Sequence, residues 1–155
     1  MIQRIQSVYL LFIAILAGFT IFLPVANLVN VNEHLTYLFD FKGITLIQPT
    51  GNVLESTTWL ISAFAAVFGI LSLVTLFSYK NRVKQIRLSV INMLFMIGYY
   101  VLLIIYIWMA CSTLKTDWHL QSASVLPLIC LIFNYLAIGA IGKDEKLVKS
   151  LDRLR

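Results

Sequence analysis

Ionisable and nucleophilic side chains are the groups that could perform chemistry, and in this sequence the charged ones lie outside four long apolar blocks. His34 and His119 stand in polar segments without a second metal ligand at the usual spacing. Cys111 and Cys130 lie near or within apolar blocks, where free cysteine acts as a small apolar residue. The serines in the blocks have no histidine or lysine to activate them. We therefore expect no enzymatic activity, no metal and no other cofactor.

Composition places the chain among membrane proteins. It is 60% hydrophobic and 12% charged, whereas soluble domains are about 25% charged. The net charge of +5 raises the question of nucleic acid binding. The basic residues flank the apolar blocks, however, where anionic lipid headgroups attract them. We expect a lipid bilayer with anionic headgroups as a partner and no nucleic acid.

The apolar blocks have the length of membrane-spanning helices. A helix needs about 20 apolar residues to cross a hydrocarbon core of about 30 Å. Unbroken apolar runs lack the alternation that a β-barrel strand needs. We predict an all-α membrane protein, a single domain over residues 1–155, with four transmembrane helices at residues 8–29, 58–79, 88–110 and 123–142. The first is predicted to be a retained anchor, because Pro24 makes a cleavage after Ala26 unfavourable.

Basic residues are distributed unequally between the two sides of these helices. One side has Lys42 and Lys115 only. Ten lie on the other side: Arg4, Lys80, Arg82, Lys84, Arg87, Lys143, Lys146, Lys149, Arg153 and Arg155. Because cytoplasmic loops carry the excess of lysine and arginine, we predict that both termini and the turn at residues 80–87 are cytoplasmic.

The predicted outer loop, residues 30–57, contains a strand pattern. Leu35, Tyr37, Phe39 and Phe41 alternate with other residues, Gly43 offers a turn, and residues 44–47 could form a return strand. A lone hairpin is only marginally stable in water. We therefore predict a small β-hairpin that lies against the outer helix ends or a partner, with Phe39 and Phe41 shielded from water.

The last thirteen residues have the pattern of an amphipathic cytoplasmic helix, which either continues the fourth helix or turns along the membrane surface. Leu147, Val148, Leu151 and Leu154 fall on one face. The helix is either an anchor on anionic lipid or a docking helix for a cytoplasmic partner. Candidate docking residues are Lys143, Lys146, Leu147, Lys149, Leu151, Arg153, Leu154 and Arg155 in the tail, and Lys80, Arg82, Lys84 and Arg87 in the turn.

Polar residues within the apolar blocks are expected to join helices. Asn92 and Asn134 should point into the bundle, where interhelical hydrogen bonds contribute about 0.6 to 2 kcal/mol. The alternative is a polar path lined by these asparagines with Tyr99, Tyr100 and Tyr135. Small residues recur at intervals that allow close helix packing: Ala14 and Gly18, Ser62 and Ala66, Ala65 and Gly69, and Ala137, Gly139, Ala140 and Gly142.

The two ends of the chain carry a family resemblance. The sequence MIQRIQSVYL at residues 1–10, KDEKLVKSLDRLR at residues 143–155 and the four apolar blocks resemble a Bacteroidota family of small integral membrane proteins, domain of unknown function 4293. The resemblance covers essentially the whole chain. It implies a Gram-negative inner (cytoplasmic) membrane and no established activity, so no catalytic residues follow from it. The layout is also similar to that of claudins, but their loop tryptophan and paired cysteines are missing.

These observations favour a non-enzymatic accessory or scaffold subunit of a larger membrane complex, with a protein partner in the membrane. The alternative is an oligomeric small-molecule or lipid transporter or channel, in which Asn92 and Asn134 line a path. Enzymatic activity ranks last, because no acid, base, metal or nucleophile is supplied.

Overall fold

The computed structural model of the protein describes residues 3–30, 35–40, 42–48, 51–79 and 81–152. These residues form four long helices and a five-stranded sheet. The elements, in chain order, are α1 Gln3–Phe22, β1 Ala26–Asn30, β2 Leu35–Phe39, β3 Gly43–Ile47, β4 Val53–Thr57, α2 Trp59–Phe77, α3 Arg82–Leu114, β5 Asp117–Leu120, a 3₁₀ turn Ser122–Val125, and α4 Leu126–Asp152.

The helices form a ring in which α1 packs against α2 and α4, and α3 packs against the same two helices. All four are long and apolar enough to cross a membrane, with candidate spans Ile5–Phe22, Trp59–Phe77, Arg82–Leu114 and Ser122–Glu145. The four predicted apolar helices are therefore confirmed. The third and fourth are longer than predicted, with 33 and 27 residues.

Each helix buries one narrow stripe of residues, spaced alternately four and three positions apart. This is the spacing by which helices pack side by side in left-handed bundles. We call the four stripes together the seam: Gln6, Leu10, Ile13, Ala17 and Thr20 on α1; Ile61, Ala65, Phe68, Ser72 and Thr75 on α2; Gln85, Ser89, Asn92, Met96, Tyr99 and Leu103 on α3; and Cys130, Asn134, Ala137, Ile141 and Asp144 on α4.

Small residues allow α1 and α2 to approach closely. A Cβ added at Gly69 would stand 3.0 Å from the Ala17 Cβ, and Ala65 is buried one turn away. The predicted packing role of Ala65 and Gly69 is thus confirmed within one chain. Gly18 and Gly139 differ, because a Cβ at either would meet no atom within 4 Å.

The first helix is shorter than predicted. The prediction that it continues to residue 29 is wrong, because α1 ends at Phe22 and residues 26–30 form β1. Pro24 follows the helix end and has no N–H to donate to a further helical turn. The 20 residues of α1 still rise about 30 Å, so the shorter helix remains long enough to span.

The predicted hairpin is confirmed as β2 and β3, which pair antiparallel. At its turn the Asp40 Oδ1 accepts the N–H groups of Lys42, at 2.9 Å, and Gly43, at 3.2 Å. Gly43 has φ +147°, and a Cβ there would collide with the Ser56 carbonyl oxygen. Phe39 is buried as predicted. Phe41 lies outside the described residues.

The prediction of an all-α protein with one hairpin is corrected, because the described strands form a single antiparallel sheet in the order β4-β3-β2-β1-β5. β5 comes from the second loop and pairs with β1, placing Leu28 opposite Trp118. The Gln121 Nε2 also donates to the Asn27 Oδ1 at 2.9 Å. The sheet therefore joins the two loops at one end of the bundle, which we call the sheet end.

Candidate functional site

Three helices meet at a buried carboxylate at the opposite end of the bundle. This basic end comprises the first two turns of α1 and α3, the last two turns of α2 and the part of α4 from Lys143 onward. The Gln6 Nε2 donates to the Asp144 Oδ2 at 2.6 Å, and the Arg82 Nη1 donates to the Asp144 main-chain oxygen at 2.7 Å. Gln6 and Asp144 are only 4% and 5% exposed. Asp144 therefore ties α4 to both α1 and α3.

Two further polar contacts join α2 to this end. The Gln85 Nε2 of α3 donates to the Thr75 carbonyl of α2 at 3.3 Å. The Ser72 Oγ of α2 donates to the Leu10 carbonyl of α1 at 2.5 Å. Such interhelical bonds matter in lipid because no water is available to satisfy the polar groups. The basic end is thus a closed ring of polar contacts among all four helices.

The structure brings Arg82 into this cluster and places Lys84, Arg87 and Lys143 as exposed side chains around it. Lys146, Leu147, Lys149 and Leu151 occupy positions on the described part of α4, although their side chains lie outside the description. Lys80, Arg153, Leu154 and Arg155 lie outside the described residues.

Sequence reasoning missed Gln6, Gln85 and Asp144. The prediction for residues 143–155 rests on the apolar stripe of the tail itself, and it does not extend the helix period of the fourth apolar block to Asp144. The signal was present nonetheless. Counting on from Cys130 in steps of four and three residues arrives at Asp144, which places this acid on the stripe that faces the other helices.

Asn92 and Asn134 both point into the bundle, as predicted, and are completely buried. The Asn134 Nδ2 donates to the Ser89 carbonyl at 2.8 Å, which joins α4 to α3. Within the described part of the chain, neither amide atom of Asn92 has a partner, and the Tyr99 hydroxyl has none either. The two asparagines therefore differ: one joins two helices and the other does not.

The three tyrosines proposed for the alternative polar path do not line a common path inside the helix bundle. Tyr99 is buried on the seam, and the Tyr100 hydroxyl donates to the Ser124 carbonyl at 2.8 Å. Tyr135 is 67% exposed on the outer surface of α4. Tyr135 therefore cannot share an interior path with Tyr99 in a single copy of the chain.

A groove of about 410 Å³ opens on the bundle surface between α1 and α4 at the basic end. Its lining consists of apolar and small residues with two charged residues at one end: Ile5, Tyr9, Tyr135, Leu136, Gly139, Ala140, Lys143 and Asp144. We call this the α1–α4 groove. Among the described residues, no three His, Cys, Asp or Glu side chains come together as a metal site.

A family model described as Domain of unknown function (DUF4293) matches residues 2–154. No curated protein matches the chain.

The different surroundings of the two asparagines predict different effects of replacing each by leucine. Asn134→Leu removes the bond to Ser89 and should lower the free energy of unfolding by about 0.6 to 2 kcal/mol. Asn92→Leu removes a buried amide that has no partner among the described residues, so stability should stay equal or rise. Thermal unfolding of the two variants in the same detergent measures this. An equal loss in both would contradict the assignment of Asn134 alone as the joining residue.

Proposed function

This chain belongs to the family described as Domain of unknown function (DUF4293), and we propose that it is a non-enzymatic accessory subunit of a larger membrane complex. In this proposal the basic end docks a cytoplasmic partner protein. The observation that carries it is the continuation of α4 as a helix to Asp152, beyond the candidate span that ends at Glu145.

The extension of α4, residues 146–152, follows directly on a part of the helix that contacts two other helices. The 27 residues of α4 rise about 40 Å, against about 30 Å of hydrocarbon, so the carboxyl end projects from the membrane. Asp144, at the base of the projection, is bonded to Gln6 and Arg82. A binding segment that is already ordered loses less conformational entropy when it docks.

The sequence of the extension suits a helix that lies in a groove of its partner. Leu147 and Leu151 stand one helical turn apart on the same face, and Lys146 and Lys149 flank them. Lys84 and Arg87 add exposed positive charge from α3 at the same end. The expected partner surface is an apolar groove with acidic side chains at its rim.

Orientation is part of the proposal. Arg82, Lys84, Arg87 and Lys143 are basic residues of the basic end, so the positive-inside rule favours a cytoplasmic position for this end in a bacterial inner membrane. The five-stranded sheet would then face the periplasm.

Transport of a small polar molecule is a second candidate function. The buried Asn92 amide and Tyr99 hydroxyl favour it, because neither has a partner within the described residues and each could contact a passing solute. Purification in mild detergent separates the two functions. A large partner at fixed stoichiometry supports the accessory subunit, and an oligomer of this chain alone supports the transporter.

The proposed orientation predicts the activity of a reporter that functions only outside the cytoplasm. Fused after Arg155 it should be silent, and inserted beside Gly51, which lies between β3 and β4, it should be active. Gly51 is a suitable position because a side chain there would meet no atom within 4 Å. The opposite pattern of activity would overturn the orientation.

The docking role predicts that apolar and basic residues of the extension have separable effects. One variant replaces Leu147, Leu151 and Leu154 by serine, which removes the apolar face and keeps every charge. The other keeps the apolar face and replaces four basic residues by glutamine, namely Lys146, Lys149, Arg153 and Arg155. If the extension docks in a partner's groove, the serine variant should release that partner from detergent extracts, because the apolar anchors supply the binding.

A lipid anchor gives the reverse result. Each basic residue near the surface then contributes about 1 kcal/mol to the binding of the tail to anionic lipid. The glutamine variant should therefore lose the protection of its tail against proteolysis, and no protein should be released. Truncation after Glu145 is the matched test, because it removes the extension and keeps the Asp144 contacts. If the truncated chain and both variants retain every co-purifying protein, docking by the extension is wrong.

A further inference from the structure

We propose that the α1–α4 groove binds one phospholipid whose headgroup carries both a phosphate and a primary ammonium. In this assignment Lys143 contacts the phosphate, the Asp144 carboxylate accepts hydrogen bonds from the ammonium, and the acyl chain lies along the apolar walls. The site is separate from the docking extension, so it goes beyond the proposed function.

The walls of the groove suit a lipid chain. Ile5 and Leu136 are exposed apolar side chains on its two sides. Gly139 also lines the groove from α4, and a Cβ there would meet no atom within 4 Å. The absence of a side chain at Gly139 therefore leaves space at the bundle surface that an acyl chain can fill.

The charged end of the groove coincides with the end of the candidate span of α4, at Glu145. In a bilayer Lys143 and Asp144 would therefore lie near the boundary between hydrocarbon and lipid phosphate. Lys143 is exposed and can meet a lipid phosphate as a mobile positive charge. Neutral and anionic lipids share this phosphate, so Lys143 alone does not select among them.

Asp144 supplies the selectivity. An ionised carboxylate has about four acceptor positions, and the donor that reaches it from the described residues is the neutral Gln6 amide. The Arg82 guanidinium goes to the main-chain oxygen of Asp144 instead. A buried carboxylate is stable when a cation pairs with it. A lipid ammonium with three N–H donors, entering from the open side of the groove, provides that cation.

This chemistry distinguishes the lipid from other occupants. Phosphatidylglycerol has the phosphate and no ammonium, and the quaternary ammonium of phosphatidylcholine has no N–H to donate. A partner helix in the groove would cover Asp144 with apolar side chains and leave the charge without a cation, which is costly within a membrane. Phosphatidylethanolamine has a phosphate for Lys143 and a primary ammonium for Asp144, and is therefore the proposed occupant.

Native mass spectrometry of the full chain in detergent tests the proposal, with each of the three lipids added in turn. One phosphatidylethanolamine should bind with an affinity roughly tenfold above that of the other two lipids, the effect of one charge-assisted contact. Asp144→Asn should remove this preference. Lys143→Gln leaves the buried contacts intact and should lower the binding affinity for all three lipids to a similar extent.

Gly139→Leu fills the groove and should abolish binding, whereas Gly18→Leu is the matched control. A Cβ at Gly18 also meets no atom within 4 Å, and Gly18 lies toward the other end of α1. Equal unfolding temperatures establish that both variants fold. Equal affinity for the three lipids, or unchanged binding by Gly139→Leu, would overturn the proposal. Release of a protein rather than a lipid by Gly139→Leu would also overturn it, and would assign the groove to a partner.

Discussion

The contact between Gln6 and Asp144 is the interaction on which the organisation of the basic end depends. Burying a carboxylate beside hydrocarbon is costly unless protein groups replace its water. Here the Gln6 amide of the first helix donates to the carboxylate, and Arg82 of the third helix donates to the main-chain oxygen of the same residue. The same residue stands at the base of the projecting part of α4 and at the charged end of the α1–α4 groove. The proposed docking extension and the proposed lipid site therefore both depend on where this carboxylate is held.

In the rest of the bundle many polar and small residues lie inside and many large apolar residues lie outside, the reverse of the arrangement in soluble proteins. Lipid is as apolar as leucine, so apolar side chains gain little by facing inward, and packing and polar contacts hold the helices together instead. The seam accordingly contains Ser72, Asn134 and the close approach of Gly69 to Ala17, while the outer surface exposes residues such as Leu94 and Ile104. Most polar contacts of the seam lie toward the basic end. The sheet end is held by strand pairing between the two loops.

The sequence predicts the helices well because hydropathy and length are local properties, and the inward position of Asn92 and Asn134 follows from the cost of a polar group in lipid. The sheet is predicted only where two strands adjoin, at β2 and β3. β1 directly follows the first apolar block and is only five residues long, so hydropathy does not separate it from the helix. Its pairing with β5 joins residues about ninety positions apart, which no local pattern reveals. Asp144 escapes prediction because its neighbours are charged, and only the helix period shows which face it occupies.

A double-mutant cycle on Gln6 and Asp144 tests the central claim that their contact joins α1 to α4. Gln6→Ala, Asp144→Ala and the double variant are compared by the free energy of unfolding in one lipid or detergent system. If the contact exists, the loss in the double variant should be smaller than the sum of the two single losses by about 1 to 3 kcal/mol, because the bond can be broken only once. Additive losses would contradict the account.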